Sequence, residues 1–90
     1  MLTKREALER AKDFLAAESS SWGTPVAVQE EKVFLREGRL IAPFNSIAYI
    51  GGQKRKELAG NMPIEVNLAS GKCHFIDLDE VFEYMDLGLL

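Results

Sequence analysis

Leu58-Ala59-Gly60-Asn61-Met62-Pro63-Ile64-Glu65-Val66-Asn67-Leu68-Ala69-Ser70-Gly71-Lys72-Cys73-His74-Phe75-Ile76 holds two short alternating runs with a turn signal between them. Ile64, Val66 and Leu68 alternate before the turn, and Cys73 and Phe75 after it, which is the period of a strand with one buried face. Asn67 can accept hydrogen bonds from the backbone ahead of it, and Gly71 can take the left-handed conformation that closes the loop. The segment reads as a β-hairpin. It offers no nucleophile with a base, no metal cage and no phosphate cradle.

Upstream, Thr3-x-x-Glu6 is a capping box and opens a helix. Ala7, Leu8, Ala11, Phe14 and Leu15 follow at helical spacing as one apolar stripe. The helix ends in Ser19-Ser20-Ser21, and a loop follows with Trp22, Gly23, Thr24 and Pro25. Val26 to Arg36 is strand-like but changes parity at Glu30-Glu31, which requires a bulge or a turn there. Glu37-Gly38 is a second turn signal. Arg39 to Asn45 alternates, with Leu40, Ala42 and Phe44 on one face and Ile41 on the other. Pro43 cannot donate to a ladder, which places this strand at an edge or leaves its amide side free.

Ser46 to Ile50 is apolar enough to be buried, Gly51-Gly52 breaks it, and Lys54 to Ala59 can form one helical turn ended by Gly60-Asn61. Beyond the hairpin, Asp77-x-x-Glu80 is another capping pattern, with Asp79 as a rival cap. Leu78, Val81, Phe82 and Met85 give the apolar stripe of a short helix that Gly88 ends. The expected fold is α+β: an N-terminal helix packed on an antiparallel sheet, then a short C-terminal helix, because each has one apolar side to hide.

The 90 residues make one domain with a modest core. Hydrophobic residues are 47% of the chain, ordinary for a globular domain. The formal charge of -3 weighs against binding nucleic acid through phosphates. Lys54-Arg55-Lys56 reads as a solvated loop. The single cysteine, Cys73, forbids an intramolecular disulfide and fits a reducing compartment. With no signal-like start and no run long enough to span a bilayer, the expectation is a cytoplasmic protein, complete as written, without a membrane partner.

Candidate chemistry is sparse. Cys73 and His74 are adjacent, but neighbours on a strand point to opposite faces, so they should diverge. Cys73 reads as a small core residue and His74 as solvent-facing. Gly51-Gly52-Gln53-Lys54 lacks the spacing and hydroxyl of a phosphate loop. Asp79, Glu80, Glu83 and Asp86 form an acidic run without a basic residue from Asp77 to Leu90. Such a run can steer a basic partner, or simply be solvated. Glu30, Glu31 and Glu37 are a second acidic group. Trp22 is an interface anchor or a lid over the sheet end; Tyr49 and Tyr84 allow the same two readings. No catalytic, metal or cofactor site is expected.

The string Leu58-Ala59-Gly60-Asn61-Met62-Pro63-Ile64, with Phe44-Asn45-Ser46 ahead of it and Asn67-x-x-Ser70-Gly71 behind it, resembles the YrhB-type domain, also called immunity protein 35. That family often has an acidic residue and a threonine where this chain has Asn67 and Ser70. The resemblance implies a small bacterial antidote, which binds a cognate polymorphic toxin domain and blocks it without catalysis. It makes Asn45, Ser46, Gly60, Asn61, Pro63 and Gly71 structural motif residues. A chaperone-like role is the alternative; it would want a large exposed apolar patch, whereas the apolar residues here read as mostly used by the core.

Overall fold

A computed structural model describes residues 1–58 and 61–90. The motif glycine Gly60 and the proposed helical residue Ala59 lie outside the described residues. The first helix, α1, spans Lys4–Glu18. Thr3 caps it as the sequence requires: its hydroxyl accepts from the Glu6 amide, and the Glu6 carboxylate accepts from the Thr3 amide at 2.9 Å. Ala7, Ala11 and Leu15 are its buried face. Leu8 and Phe14 pack at the margin of the same core.

Six strands follow among the described residues: β1 (Val26–Val28), β2 (Phe34–Arg36), β3 (Arg39–Ala42), β4 (Phe44–Ser46), β5 (Ile64–Asn67) and β6 (Cys73–Phe75). The helices α2 (Ile47–Ile50) and α3 (Leu78–Asp86) complete the order. β2, β3, β5 and β6 form an antiparallel four-stranded sheet in that spatial order, and β1 pairs with β4 separately. The hairpin read from Asn67 forms as expected. The Asn67 side chain accepts from the amides of Ala69 and Ser70 at 2.9 and 3.0 Å, and Gly71 sits at φ +76°.

The Arg39–Asn45 run is not one strand. Pro43 separates β3, interior to the four-stranded sheet, from β4, which turns away to β1. The parity change at Glu30–Glu31 is the matching break in the opposite segment, where Glu30–Lys32 makes a 3₁₀ turn. Val28 pairs with Phe44, and Phe34 pairs with Ile41. Five residues therefore lie between the ladders on one segment and two on the other. The surplus equals the three residues of the turn. The Gln29 amide donates to the Pro43 carbonyl at 2.8 Å and pins the two breaks together.

Strand alternation gives the sheet two covered faces. One carries Leu40, Ala42, Ile64 and Val66 and lies under α1, where they join Ala7, Ala11, Leu15 and Phe44 in the main core. Fully burying each of the larger side chains contributes about 1.5–3 kcal/mol. Trp22 closes one end as a lid, with its ring centroid 5.9 Å from Phe44 and 6.2 Å from Phe75. The other face carries Ile41, which forms a smaller core with Ile76 and Tyr84, bordered by Phe34 and Val81. α3 covers that face.

Candidate functional site

α3 begins where the sequence says it should. Asp77 is its cap, accepting from the Glu80 amide at 2.8 Å, and Asp79 is not. Gly88 leaves the helix at φ +74°. The face it buries is not the expected one. Tyr84 is fully buried and Val81 half-buried, whereas Leu78, Phe82 and Met85 are exposed at 52–53% each.

The reason lies on the sheet beneath. Its α3-facing row includes Arg39 and Glu65 beside Ile41. The Arg39 guanidinium donates to Glu65, to Glu80 at 2.8 Å and to the Tyr84 hydroxyl at 2.8 Å. The Tyr84 hydroxyl in turn donates to Glu80 at 2.5 Å. Burial opposes the charge of Arg39, but Glu65, joined by Tyr84 and Glu80, more than offsets it, and the guanidinium pKa moves up. Burial, then the bond to Glu80, pushes the Tyr84 phenol up to about 12. His74 reaches Glu65 at 3.3 Å from the rim. Phe34 meets the Tyr84 ring edge-on at 5.4 Å, and Arg36 lies 5.8 Å from its centroid. Among the described residues no buried side-chain nitrogen or oxygen lacks a partner. A buried charge is tolerated only under such satisfaction.

α3 is thus fastened by its polar side. At 100° per residue its surface divides into three stripes. Glu80, Val81 and Tyr84 face the sheet; Leu78, Phe82 and Met85 face solvent beside them; Asp79, Glu83 and Asp86 form the third stripe, all exposed. The sequence reading groups Glu80 with the surface acids; the structure turns it inward to Arg39. Leu89 and Leu90 continue the apolar surface, and with Met85 they line an open groove of about 830 Å³ whose opposite wall includes Val33, Pro43 and Leu58. Glu31 lies on that wall too. Glu30 is turned to Lys12 of α1, at 3.2 Å. Glu37 occupies the β2–β3 turn at φ +49°, followed by Gly38 at φ +77°, the paired positive angles of a tight two-residue hairpin.

Three motif residues, Asn45, Asn61 and Pro63, line the same groove. Asn45 is buried, and its side-chain oxygen accepts from the amides of Ser46 and Leu58 at 2.9 and 2.8 Å. The Ser46 hydroxyl caps α2 and donates to the Lys56 carbonyl at 2.6 Å. Asn61 donates to the Phe44 carbonyl at 2.6 Å, and the Pro63 carbonyl accepts from Ile76. Together they tie the connection between β4 and β5 to the sheets. α2 itself is not buried as the sequence suggests: Ile47 and Ile50 are 53% and 41% exposed.

Cys73 and His74 diverge as strand neighbours must. Cys73 is half-buried rather than buried, with its sulfur 3.8 Å from the Arg10 carbonyl, and burial pushes its thiol pKa up. That is the reverse of an activated nucleophile. Among the described residues no cluster of three or more His, Cys, Asp or Glu could hold a metal, and no helix is long and apolar enough to cross a membrane.

The fold and this face define a small α+β domain with a polar-fastened helix that turns its apolar side outward. No family model, curated protein or solved structure matches the chain.

Proposed function

We propose that the chain is a non-catalytic antidote of the YrhB-type, immunity protein 35 kind, which binds a cognate bacterial toxin domain and neutralises it. The observation that carries the reading is the orientation of α3. A helix that places Glu80 and Tyr84 inward and leaves Leu78, Phe82 and Met85 in water gives up apolar burial within its own domain. Contiguous exposed apolar surface of this kind, with a polar margin, is characteristic of protein interfaces. The resemblance around Asn45-Ser46 and Asn61-x-Pro63 supplies the antidote role, and the ties those residues make suit a structural motif.

The test is co-expression of the chain with the C-terminal domain of a toxin encoded immediately upstream, followed by titration of the purified pair. Rescue of growth and a one-to-one complex are expected. An active, folded toxin domain that is neither bound nor neutralised overturns the reading.

The exposed apolar side of α3 also favours a chaperone-like module over what the sequence suggested for that role. The two differ in selectivity. A chaperone suppresses aggregation of an unrelated, thermally unfolded client protein, and an antidote does not.

A further inference from the structure

We infer that α3 is itself the docking element, and that its partner is a helical protein segment with apolar side chains down the centre and Lys or Arg along one flank. The inference deepens the antidote reading by naming the surface and its chemistry, and it rests on that reading only for the identity of the partner.

Three features specify the chemistry. Leu78, Phe82 and Met85 recur at the spacing of one helix face and run for about 10 Å, two turns. A second helix laid along them meets them with its own residues at the same spacing. On one side this stripe is bounded by Asp79, Glu83 and Asp86, and no cation of α3 or the tail neutralises them. A flank of Lys or Arg on the partner is the complement. At the C-terminal end the stripe opens into the groove beside Met85 and Leu89, which can take one large apolar anchor.

The same charges argue against a second copy of this chain as the occupant. A two-fold pairing of α3 with itself brings three carboxylates of each copy to one seam without a counter-charge. The fastening beneath makes the surface rigid. Arg39, Glu65, Glu80 and Tyr84 hold the helix from below, so the apolar stripe is presented without ordering on binding.

The probe is a 14-residue amphipathic Leu/Lys helical peptide, compared with a Leu/Glu peptide of the same pattern, titrated into the isotope-labelled chain by NMR. The Lys peptide should shift amides of 78–90 and the groove wall, and the Glu peptide should not bind. Phe82→Ser with Met85→Ser should weaken the Lys peptide about 30-fold or more. Asp79→Lys with Glu83→Lys should weaken it and flatten its salt dependence. Both variants leave the buried residues alone, and an unchanged amide spectrum away from α3 verifies the fold. Equal binding of the two peptides, shifts centred away from α3, or no binding of the Lys peptide overturns the inference. So does a dimer of the parent chain that Phe82→Ser dissolves.

The toxin assay separates the two levels. Neutralisation that survives both α3 variants overturns the docking assignment and leaves the antidote role. Peptide capture at α3 by a chain that neutralises nothing overturns the antidote role and leaves the surface.

Discussion

Removing the Tyr84 hydroxyl tests whether polar contacts hold α3 on the sheet. Tyr84→Phe keeps the buried ring and its edge contact with Phe34. It deletes the hydroxyl that accepts from Arg39 and donates to Glu80. Hydrogen bonds to charged groups contribute about 1.5–3 kcal/mol each. The full sum is not expected, because Arg39 and Glu80 keep their own 2.8 Å contact and are 25% and 22% exposed at the side chain. The expected loss is about 1–3 kcal/mol. A domain of this size has a urea slope of about 1 kcal/mol/M, so the midpoint should fall by about 1–3 M. The alkaline limb gives an independent signature. The Tyr84 phenol titrates near 10 in the unfolded chain and at about 12 in the folded one. Its contribution is therefore complete below pH 10 and is lost as pH rises from there through 12. Urea melts of Tyr84→Phe should lack that share of the alkaline decline. Combining Tyr84→Phe with Glu80→Gln should cost less than the two separate losses added together. A loss under about 0.3 kcal/mol, additive with Glu80→Gln, would refute the fastening.

Four other substitutions or probes bear on the remaining structure. Leu15→Ala empties the centre of the α1 contact and should cost about 2–5 kcal/mol in denaturant melts; a few tenths would mean that α1 is not docked through that residue. Asn45→Ala leaves the Ser46 and Leu58 amides without their acceptor and should cost about 1–3 kcal/mol, with loss of amide protection at Leu58 by hydrogen exchange. Gly71→Ala forces a side chain at φ +76° and sets its Cβ 2.7 Å from the Arg10 guanidinium; Arg10 can swing away, so the backbone dominates and thermal melts should show a loss of about 1 kcal/mol. Cys73 should react with a thiol reagent more slowly in the folded protein than in urea at the same pH, and rapid native labelling would contradict its raised pKa.

Local signals in the sequence located most elements. The Thr3–Glu6 box, the Asp77 cap and the Asn67–Gly71 loop each involve partners within four residues, and each formed as its chemistry requires. The parity change at Glu30–Glu31 marked a real break, but not that both segments leave one sheet for another, since that depends on pairing across the chain. The face of α3 was illegible for the same reason. Periodicity places Leu78, Phe82 and Met85 inward because apolar stripes usually are. What overrode it was Arg39, 45 residues before Tyr84 and 41 before Glu80. A half-buried guanidinium on the sheet demands carboxylate and hydroxyl partners, and α3 supplies them from its other side. A clue was present: a lone Arg39 at the start of an apolar strand, with Glu65 alternating out of phase with Ile64 and Val66.

The three-residue surplus at Glu30–Lys32 works as an expansion joint. Each ladder flanking it keeps its own register by its own cross-strand bonds, β1 with β4 and β2 with β3. Chain length can therefore change inside the joint without moving a single side chain of either sheet to the wrong face. Lengthening a surface loop costs little, roughly 0.6 kcal/mol per doubling. The Glu37–Gly38 turn has no such slack: one added residue there shifts the pairing of β2 against β3 and reverses every face in the strand. The joint is thus the natural place to graft a tag or a fluorophore loop, and the place where insertions should accumulate among any chains that share this fold.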